Sequence, residues 1–474
     1  MTTAELIRRG ARRYGKRKAI VCGDIQLSFA EVDGQATRLA RALVARGVDR
    51  VGLLVENGPH SVPLDFACAK VRIARVPLNP RLATAEQNEI LRIAEVELAV
   101  VDRDAALDCS LLQLDELVSE AARQPASDLP PPAPEDTLLL LATSGTTGRV
   151  KLVRHTQRSY AAIVANILAN LLDPRPEDVM LHAASLIHAS GTFVLPFWLR
   201  GGSSAVLTGF VPGEFVDAVE RFDATVTNVV PTMLGALLRE GGDELQALRT
   251  IVYGASPTPV SLLEHALERW PGRLVQYYGQ TEAPLCISVL RPEDHVGERL
   301  RSCGHPAVDA EISLDEETGE IMVRAPFVAA GYHGDDELDR ETFLTGGWVR
   351  TRDVGRFDDE GYLYLVDRTS DMIVSGGYNV YPREVEDVLA AHPAVRDAVV
   401  VGAPDERWVE AVTAFVVAED VGEAELIEHC RTRLAAYKAP KSVRFVSEIP
   451  KSPVGKLLRR AVRDPLWEGH ERRL

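Results

Sequence analysis

One glycine- and hydroxyl-rich stretch has the residue types that bind phosphate groups. It reads Thr143-Ser144-Gly145-Thr146-Thr147-Gly148-Arg149-Val150-Lys151 and follows an apolar run at 136–142 that predicts one buried strand. Glycines let backbone N–H groups approach an anion, hydroxyls donate hydrogen bonds, and a lysine adds a positive charge. The spacing is not that of a Walker P-loop, which ends in Gly-Lys-Ser/Thr. Because most Ser/Thr/Gly-rich stretches are only surface loops, the phosphate-binding hypothesis depends on the rest of the chain.

Four segments farther along the chain also combine charged, hydroxyl and glycine residues. They are Tyr278-Gly279-Gln280-Thr281-Glu282, Thr351-Arg352-Asp353, the block 375–386 that begins Ser375-Gly376-Gly377, and Pro450-Lys451-Ser452-Pro453-Val454-Gly455-Lys456. Together with the first stretch, they resemble, in the right order, five motifs of the adenylate-forming superfamily. That superfamily contains acyl- and aryl-CoA synthetases, the adenylation domains of peptide synthetases, and luciferases. The resemblance extends over nearly the whole chain and is closest to the aryl/acyl-CoA ligases.

Size and composition indicate a globular protein of at least two domains. The chain has 474 residues, of which 46% are hydrophobic and 26% are charged, which is too long for one ordinary core. No apolar run reaches the roughly 18 residues of a membrane span, and the first residues lack the apolar core of a signal peptide. The net charge of −16 argues against general binding of nucleic acid. We therefore expect a cytoplasmic protein without a nucleic-acid or membrane partner, and reduced thiols at the six scattered cysteines: Cys22, Cys68, Cys109, Cys286, Cys303 and Cys430.

Strand-like and helical stretches alternate through the first hundred residues, which predicts an α/β fold with a largely parallel sheet. Apolar residues at three- and four-residue spacing predict a helix at 30–46. The resemblance implies a large N-terminal domain of mixed sheets with packed helices at 1–368. It also implies a small, mobile C-terminal α+β domain at 369–474, which carries the catalytic lysine and has its hinge at Ser370, just before Asp371.

The resemblance implies a binding site for ATP. The phosphates are expected at Thr143, Ser144, Gly145, Thr146, Thr147, Gly148 and Lys151. The adenine ring is expected between the small residues Gly254, Ala255 and Ser256 and the wall formed by Tyr277, Tyr278 and Gly279. Asp353 and Arg368 are expected to bind the ribose hydroxyls, although an Asp and an Arg more often form a surface ion pair.

The resemblance also assigns the catalytic groups and a metal. Glu282, next to the hydroxyl of Thr281, is expected to hold Mg²⁺, which prefers one or two carboxylates with phosphate oxygens and water. Lys456 is the expected catalytic lysine. Gly376 and Gly377 are expected to line a tunnel for the pantetheine arm of CoA.

The acid substrate is predicted less sharply than the nucleotide. The residues matched to the family's acid pocket are mostly apolar and aromatic: His188, Ala189, Ser190, Val230, Tyr277, Gly279, Pro284 and Leu285. No aspartate lies near Phe193, where amino-acid adenylation domains anchor an amine. We therefore favour an aryl or short acyl acid. His182, a lone histidine, is interpreted as structural.

The implied reaction has two halves: a carboxylate attacks the α-phosphorus of ATP, and a second nucleophile then takes the acyl group and releases AMP. The leading hypothesis is an ATP-dependent acid–CoA ligase. A second hypothesis is a stand-alone adenylating enzyme of secondary metabolism, whose acceptor is a carrier-protein thiol, an amine or a small anion. A third is a nucleotide-binding regulator without catalysis, and a homodimer is possible in each case. Four departures from the family pattern have open consequences: Val150, Leu152, Arg352 and Asp367.

Overall fold

Strands and helices alternate along most of the chain in the computed structural model. The model describes residues 1–127, 129–144, 150–187, 189–240, 242–256, 258–368, 371, 373–375, 378–405, 408–451 and 457–468. The helices in these ranges are α1 Thr3–Tyr14, α2 Phe29–Val44, α3 Ser61–Lys70, α4 Thr84–Ile93, α5 Leu114–Ala122, α6 Gln157–Asn170, α7 Ala189–Thr192, α8 Val194–Arg200, α9 Pro212–Arg221, α10 Pro231–Glu240, α11 Val260–Arg269, α12 Asp336–Thr342, α13 Pro382–Ala390, α14 Glu423–Arg431 and α15 Arg459–Arg463. The strands are β1 Lys18–Cys22, β2 Ile25–Ser28, β3 Arg50–Leu54, β4 Ala74–Pro77, β5 Leu98–Val101, β6 Ser110–Gln113, β7 Thr137–Ser144, β8 Val150–Thr156, β9 Val179–His182, β10 Ser203–Val206, β11 Val226–Val229, β12 Thr250–Gly254, β13 Leu274–Tyr278, β14 Ser288–Leu290, β15 His305–Pro306, β16 Glu311–Leu314, β17 Glu320–Arg324, β18 Trp348–Phe357, β19 Leu363–Arg368, β20 Ile373–Ser375, β21 Tyr378–Val380, β22 Val395–Asp405, β23 Val409–Ala418 and β24 Ser442–Phe445.

A nine-stranded sheet runs in the order β15-β14-β13-β12-β11-β9-β10-β1-β2. The pairs from β13 through to β1 are parallel, whereas β15–β14, β14–β13 and β1–β2 are antiparallel. Strands β9, β10 and β11 are buried along their whole length, as expected for parallel strands covered on both faces. The carboxyl ends of parallel strands meet at one edge of a sheet, so the residues that follow β9, β11, β12 and β13 lie near one another.

A second sheet carries both ends of the phosphate-binding stretch. It has the order β6-β5-β3-β4-β7-β8, with β7 and β8 antiparallel to each other. Leu138 and Leu140 of β7 are buried, which confirms the strand predicted before the glycines. Thr143 pairs with Lys151, and Ser144 pairs with Val150. Gly145, Thr146, Thr147, Gly148 and Arg149 lie outside the described residues.

Helix α6 packs against the N-terminal sheets as a buried helix. The side chains of Ile163 and Ile167 are at most 1% exposed. Asn166, 0% exposed, donates from Nδ2 to the Cys286 carbonyl (3.2 Å) and to Asp309 Oδ1 (2.7 Å). Its Nδ2 therefore has partners inside the protein, whereas its buried Oδ1 has no hydrogen-bond partner among the described residues.

Two further sheets follow along the chain. An antiparallel sheet, β16-β17-β18-β19, ends at Arg368, and a sheet of β21-β20-β23-β22 with β24 beside β23 begins at Ile373. The second of these packs on α13 and α14 around a core of its own that includes Val385, Val400 and Leu426. These elements confirm the predicted mixed α/β fold with a smaller C-terminal unit.

None of the helices in the described ranges is long and apolar enough to cross a membrane. The six cysteines form no disulfide, and four of them are buried.

Candidate functional site

The ends of β12 and β13 form the surface predicted for the adenine ring. The two strands are parallel neighbours, and Gly254 pairs with Tyr277. A Cβ atom on Gly254 would lie 2.6 Å from the Tyr277 carbonyl oxygen, and one on Gly279 would lie 2.5 Å from that of Leu285. Ala255 follows with a left-handed φ of +68°. The close approach of these backbones explains why glycines occupy positions 254 and 279.

Asp353, the predicted ribose ligand, is held by the segment that begins with Tyr278. Its side chain is 6% exposed, and its Oδ2 accepts hydrogen bonds from the Tyr278 hydroxyl (2.7 Å) and from Gln280 Nε2. Burial, and then the Asp353 charge, raise the pKa of Tyr278 well above its usual value, so Tyr278 remains a donor. Asp353 lies within β18, paired with Arg368 of β19. The side chain of Arg368 is outside the described residues.

Glu282, the predicted magnesium ligand, is positioned by a loop farther along the chain. Its Oε1 accepts a hydrogen bond from the Tyr332 hydroxyl (2.7 Å), and its carbonyl accepts one from the Ala329 N–H (2.8 Å). Lys151 Nζ lies 5.8 Å from the centroid of the Tyr332 ring. Burial, followed by the charge of Arg352, lowers the pKa of Lys151. Glu282 and Lys151 therefore both lie next to the side chain of Tyr332.

Glu282 suits Mg²⁺ bound together with ATP. A single carboxylate leaves most of the coordination sphere to phosphate oxygens and water, which is how Mg²⁺ is usually held beside a nucleotide. In the described part of the chain no cluster of three or more His, Cys, Asp or Glu side chains could hold a metal by itself. The donor set therefore fits a metal that arrives with phosphates.

Thr281 is fixed by a histidine that the sequence did not single out. His155 is 1% exposed, and its Nε2 bonds the Thr281 carbonyl oxygen at 2.8 Å. Since a carbonyl only accepts, Nε2 carries the proton. Burial lowers the pKa of His155 to about 4, so the ring is neutral at pH 7. No spacing signal in the sequence could have found this contact, because 126 residues separate the two partners.

The predicted acid pocket contains both buried and half-buried residues. Leu285 and Tyr277 are 5% exposed, and Tyr277 packs edge-on against Phe193 with ring centroids 6.3 Å apart. Ala189, Val230 and Pro284 are half-buried. His188 lies outside the described residues. The end of β13 therefore contacts Phe193, the residue between α7 and α8.

The Ser190 side chain belongs to a buried hydrogen-bond network. Its Oγ donates to Asn228 Oδ1 (2.9 Å) and lies 2.9 Å from His182 Nδ1, while His182 Nε2 lies 3.1 Å from Ser204 Oγ. Ser190 is 1% exposed and His182 is 0% exposed. Burial lowers the pKa of His182 to about 3. The network holds the base of the predicted pocket, and it supports the structural interpretation of His182.

The lowered pKa values of His155 and His182 predict that the protein loses stability in mild acid. The unfolded chain protonates histidine near pH 6.5, whereas the folded protein keeps both rings neutral down to about pH 4. Stability should therefore be full above pH 6.5 and fall as the pH drops below it, by about 2 kcal/mol per histidine at pH 5. Denaturant unfolding at pH 7 and pH 5 measures this difference. His182→Asn should reduce the difference by about 2 kcal/mol, whereas His265→Asn, at an exposed histidine on α11, should leave it unchanged. The same difference between pH 7 and pH 5 in all three proteins would contradict the prediction.

The segment that carries Lys456 is held at both of its ends. Residues 452–456 are outside the described part of the chain, but Lys451 and Leu457 form an antiparallel bridge, and the Leu458 N–H donates to the Pro450 carbonyl (2.9 Å). Lys451 also pairs with Asp397. The structure thus fixes where the lysine segment leaves and rejoins the C-terminal unit.

Arg459 connects this segment to the region that follows the predicted hinge. Its guanidinium donates to both carboxylate oxygens of Glu386 (2.7 Å each), to Asp371 Oδ2 (3.0 Å) and to the Val400 carbonyl (3.1 Å). The side chains of Arg459, Asp371 and Glu386 are all at most 15% exposed. Asp371 directly follows Ser370, which lies outside the described residues, as does Thr369.

Removal of Arg459 should destabilise the C-terminal unit. Arg459→Leu would leave the Asp371 and Glu386 carboxylates poorly solvated without this cation, a loss of about 3 kcal/mol. Hydrogen exchange over residues 373–468 measures the effect. Arg396→Leu is the matched control, because Arg396 pairs with Glu419 at the surface and should cost at most about 1 kcal/mol. Equal protection in the two variants would contradict the prediction.

Gly376 and Gly377, the predicted tunnel residues, are outside the described residues. The strands on either side of them, β20 and β21, are antiparallel, with Ser375 opposite Tyr378.

Two family models match this chain. The AMP-binding enzyme model matches residues 7–333, and the AMP-binding enzyme C-terminal domain model matches residues 384–456.

Curated relatives and solved structures cover almost the whole chain. The chain is 36% identical to the medium/long-chain-fatty-acid–CoA ligase FadD8 of Mycobacterium tuberculosis, over 97% of this chain and 89% of the relative. It is also 36% identical to a feruloyl-CoA synthase of an Amycolatopsis species, over 96% of this chain and 97% of the relative. The structure of o-succinylbenzoate CoA synthetase from Bacillus subtilis, in complex with its acyl-adenylate intermediate, superposes with a TM-score of 0.89 at 30% identity, over 97% of this chain and 98% of that one. A carrier-protein ligase and amide bond synthetases also occur among the similar proteins. The chain therefore belongs to the AMP-binding enzymes of the adenylate-forming superfamily, beside its acyl- and aryl-CoA ligases.

Proposed function

We propose that this protein adenylates an aryl or short acyl carboxylic acid with ATP and then transfers the acyl group to CoA. The observation that carries the proposal is the placement of one five-residue segment, 278–282. Its first residue, Tyr278, bonds the predicted ribose ligand Asp353, and its last, Glu282, is held next to Lys151 by Tyr332. This segment therefore contacts the carboxylate proposed to bind the ribose and carries the carboxylate proposed to bind the metal.

Each predicted group has a distinct task in the first half of the reaction. Asp353 and the backbone at 254–256 and 277–279 would hold the nucleoside, and Lys151 would bind phosphate oxygens with the 143–148 stretch. Magnesium bound by Glu282 would neutralise phosphate charge. Negative charge accumulates between the attacking carboxylate and the α-phosphate, so cations in a dry site should supply most of the catalysis. Lys456 would neutralise the acid carboxylate and the bridging oxygen.

The acceptor distinguishes the two enzymatic hypotheses. CoA is supported by the names of FadD8 and of the feruloyl-CoA synthase, whereas a carrier-protein thiol or an amine is supported by the carrier-protein ligase and the amide bond synthetase. The departure at Leu152 does not bear on the choice of acceptor. Leu152 is 1% exposed and packs with Leu140 and Val76, so it fills a core rather than facing a ligand.

The domain boundary at 368/369, the hinge at Ser370 and the tunnel at Gly376 and Gly377 are part of this proposal. The end of one sheet at Arg368 and the start of another at Ile373 support the boundary. The six free thiols are compatible with a cytoplasmic location.

The test is AMP release from ATP and Mg²⁺ across benzoic, cinnamic and short aliphatic acids, with and without CoA, with the products identified by mass. A CoA thioester of one acid, with turnover accelerated by CoA, is the expected result. AMP or bound adenylate that forms without any effect of CoA would replace CoA by another acceptor. No acid-dependent AMP from any acid, although the protein binds ATP, would favour the regulator without catalysis.

A further inference from the structure

Arg352 has a backbone conformation that suits glycine better than arginine. It lies between Thr351 and Asp353, where the motif that the chain resembles has a glycine, and its φ is +60°. Left-handed φ is unfavourable for a residue with a Cβ. A non-glycine residue persists in this region only where its surroundings hold it there.

A buried carboxylate holds the Arg352 backbone in place. Glu320, 4% exposed, accepts the Arg352 N–H at Oε1 (2.9 Å), and its Oε2 accepts two hydrogen bonds from Arg350 (3.0 and 2.6 Å). The Thr351 hydroxyl donates to the Ile321 carbonyl (2.7 Å). Hydrogen bonds from β17 therefore hold the backbone of Arg352 in its left-handed conformation. This backbone conformation in β18 sets the direction of the Arg352 side chain.

The Arg352 side chain extends toward the predicted phosphate groups and away from the ribose ligand. Its Nη2 lies 3.4 Å from Glu341 Oε2 and 3.4 Å from the hydroxyl of buried Thr342. The Thr342 hydroxyl also bonds Tyr332, whose own hydroxyl donates to Glu282. Asp353, the next residue, contacts Tyr278 and Gln280 instead. Successive residues of β18 thus contact the two opposite ends of the nucleotide site.

Lys151 lies beside the Tyr332 ring, and Arg352 is connected to Tyr332 through Thr342. Lys151 is on β8 and Arg352 is on β18, and the Arg352 charge is the second-largest cause of the lowered pKa of Lys151. The two cations repel each other, and a polyphosphate bound to both would offset the repulsion. The Glu341 partner is 60% exposed, and such surface pairs are weak enough to be exchanged for phosphate.

We propose that Arg352 is a second phosphate-binding cation of this site and contacts the β- and γ-phosphates of ATP and the pyrophosphate product. This assignment rests on the proposed function. The planar guanidinium presents paired N–H donors that match phosphate oxygens better than a lysine does. Arg352 binds the leaving group, and Asp353 binds the part of the nucleotide that remains as AMP.

The test compares the affinity for ATP with the affinity for AMP in three variants of Arg352 and in one control variant. Arg352→Gln removes the charge, Arg352→Gly restores the residue that suits the backbone, and Arg352→Lys keeps the charge without the paired donors. Arg356→Gln, four residues along the same strand and exposed, is the control with the same net charge. Equilibrium titrations with ATP and with AMP at fixed Mg²⁺, and pyrophosphate–ATP exchange, are the readouts.

We expect Arg352→Gln and Arg352→Gly to weaken ATP binding about tenfold and to raise the KM for pyrophosphate by a similar factor, a typical loss for one charged hydrogen-bond donor. AMP binding should change less than twofold, Arg352→Lys should recover part of the loss, and Arg356→Gln should resemble the wild type. Equal weakening of ATP and AMP, or no weakening of either, would overturn the inference. The proposed function fails in a different way, by the absence of acid-dependent exchange in the wild type, and the two titrations still test Arg352 in that case.

Discussion

Lys456→Ala should lower acid-dependent pyrophosphate release by at least about a hundredfold, which corresponds to a loss of about 2.7 kcal/mol of transition-state stabilisation. The first half-reaction brings a carboxylate to a phosphate, and the lysine is the cation proposed to neutralise both. Continuous detection of pyrophosphate, with the preferred acid at saturation, measures the rate. Lys451→Ala is the matched control, because Lys451 lies on the same segment but pairs with Asp397.

The second half-reaction provides a further check on Lys456. If this lysine acts only in adenylation, Lys456→Ala should convert a chemically prepared acyl adenylate and CoA to thioester at a rate within about threefold of the wild type. A parallel fall in both half-reactions would indicate general damage to the C-terminal unit. Near-normal release of pyrophosphate would remove Lys456 from the catalytic assignment.

The sequence predicted the strands of the site better than it predicted their partners. The apolar run at 136–142 proved to be part of strand β7, and β12 and β13 are apolar strands as well, because buried parallel strands read as continuous apolar segments. Their order in the sheets then placed the residues that follow β12 and β13 side by side. Periodicity and turn residues are local signals, and they were sufficient for this part of the site.

The supporting contacts could not be predicted, because they join residues far apart in the sequence. Tyr332 is 50 residues from Glu282, His155 is 126 residues from Thr281, and Glu320 is 32 residues from the Arg352 N–H that it accepts. Such pairs follow from the packing of whole sheets rather than from any spacing. For the same reason, the sequence identifies Arg352 only as a departure from a motif. The direction of its side chain follows from its contacts with Glu341 and Thr342.

Asp353→Asn should weaken the binding of AMP and ATP equally, by about a hundredfold. The carboxylate is proposed to accept hydrogen bonds from two ribose hydroxyls. Each hydrogen bond to a charged acceptor contributes about 1.5 kcal/mol or more to the binding free energy. Asparagine keeps the shape of the side chain but replaces a charged oxygen with an amide group. Equilibrium titration with AMP measures the change directly, without catalysis.

The Tyr278→Phe variant tests how much the position of the Asp353 carboxylate contributes to binding, because it leaves the charge of Asp353 unchanged. The Tyr278 hydroxyl and Gln280 Nε2 both donate to Asp353 Oδ2, so removal of the hydroxyl should loosen the carboxylate without neutralising it. We therefore expect Tyr278→Phe to cost about tenfold in AMP affinity, less than Asp353→Asn. Because Arg352 is assigned to the phosphates that leave, its variants should affect ATP alone, whereas both of these should affect ATP and AMP alike. An AMP affinity within twofold of the wild type in Asp353→Asn would show that the ribose is bound elsewhere, and the division of β18 between the two ends of the nucleotide would then be wrong.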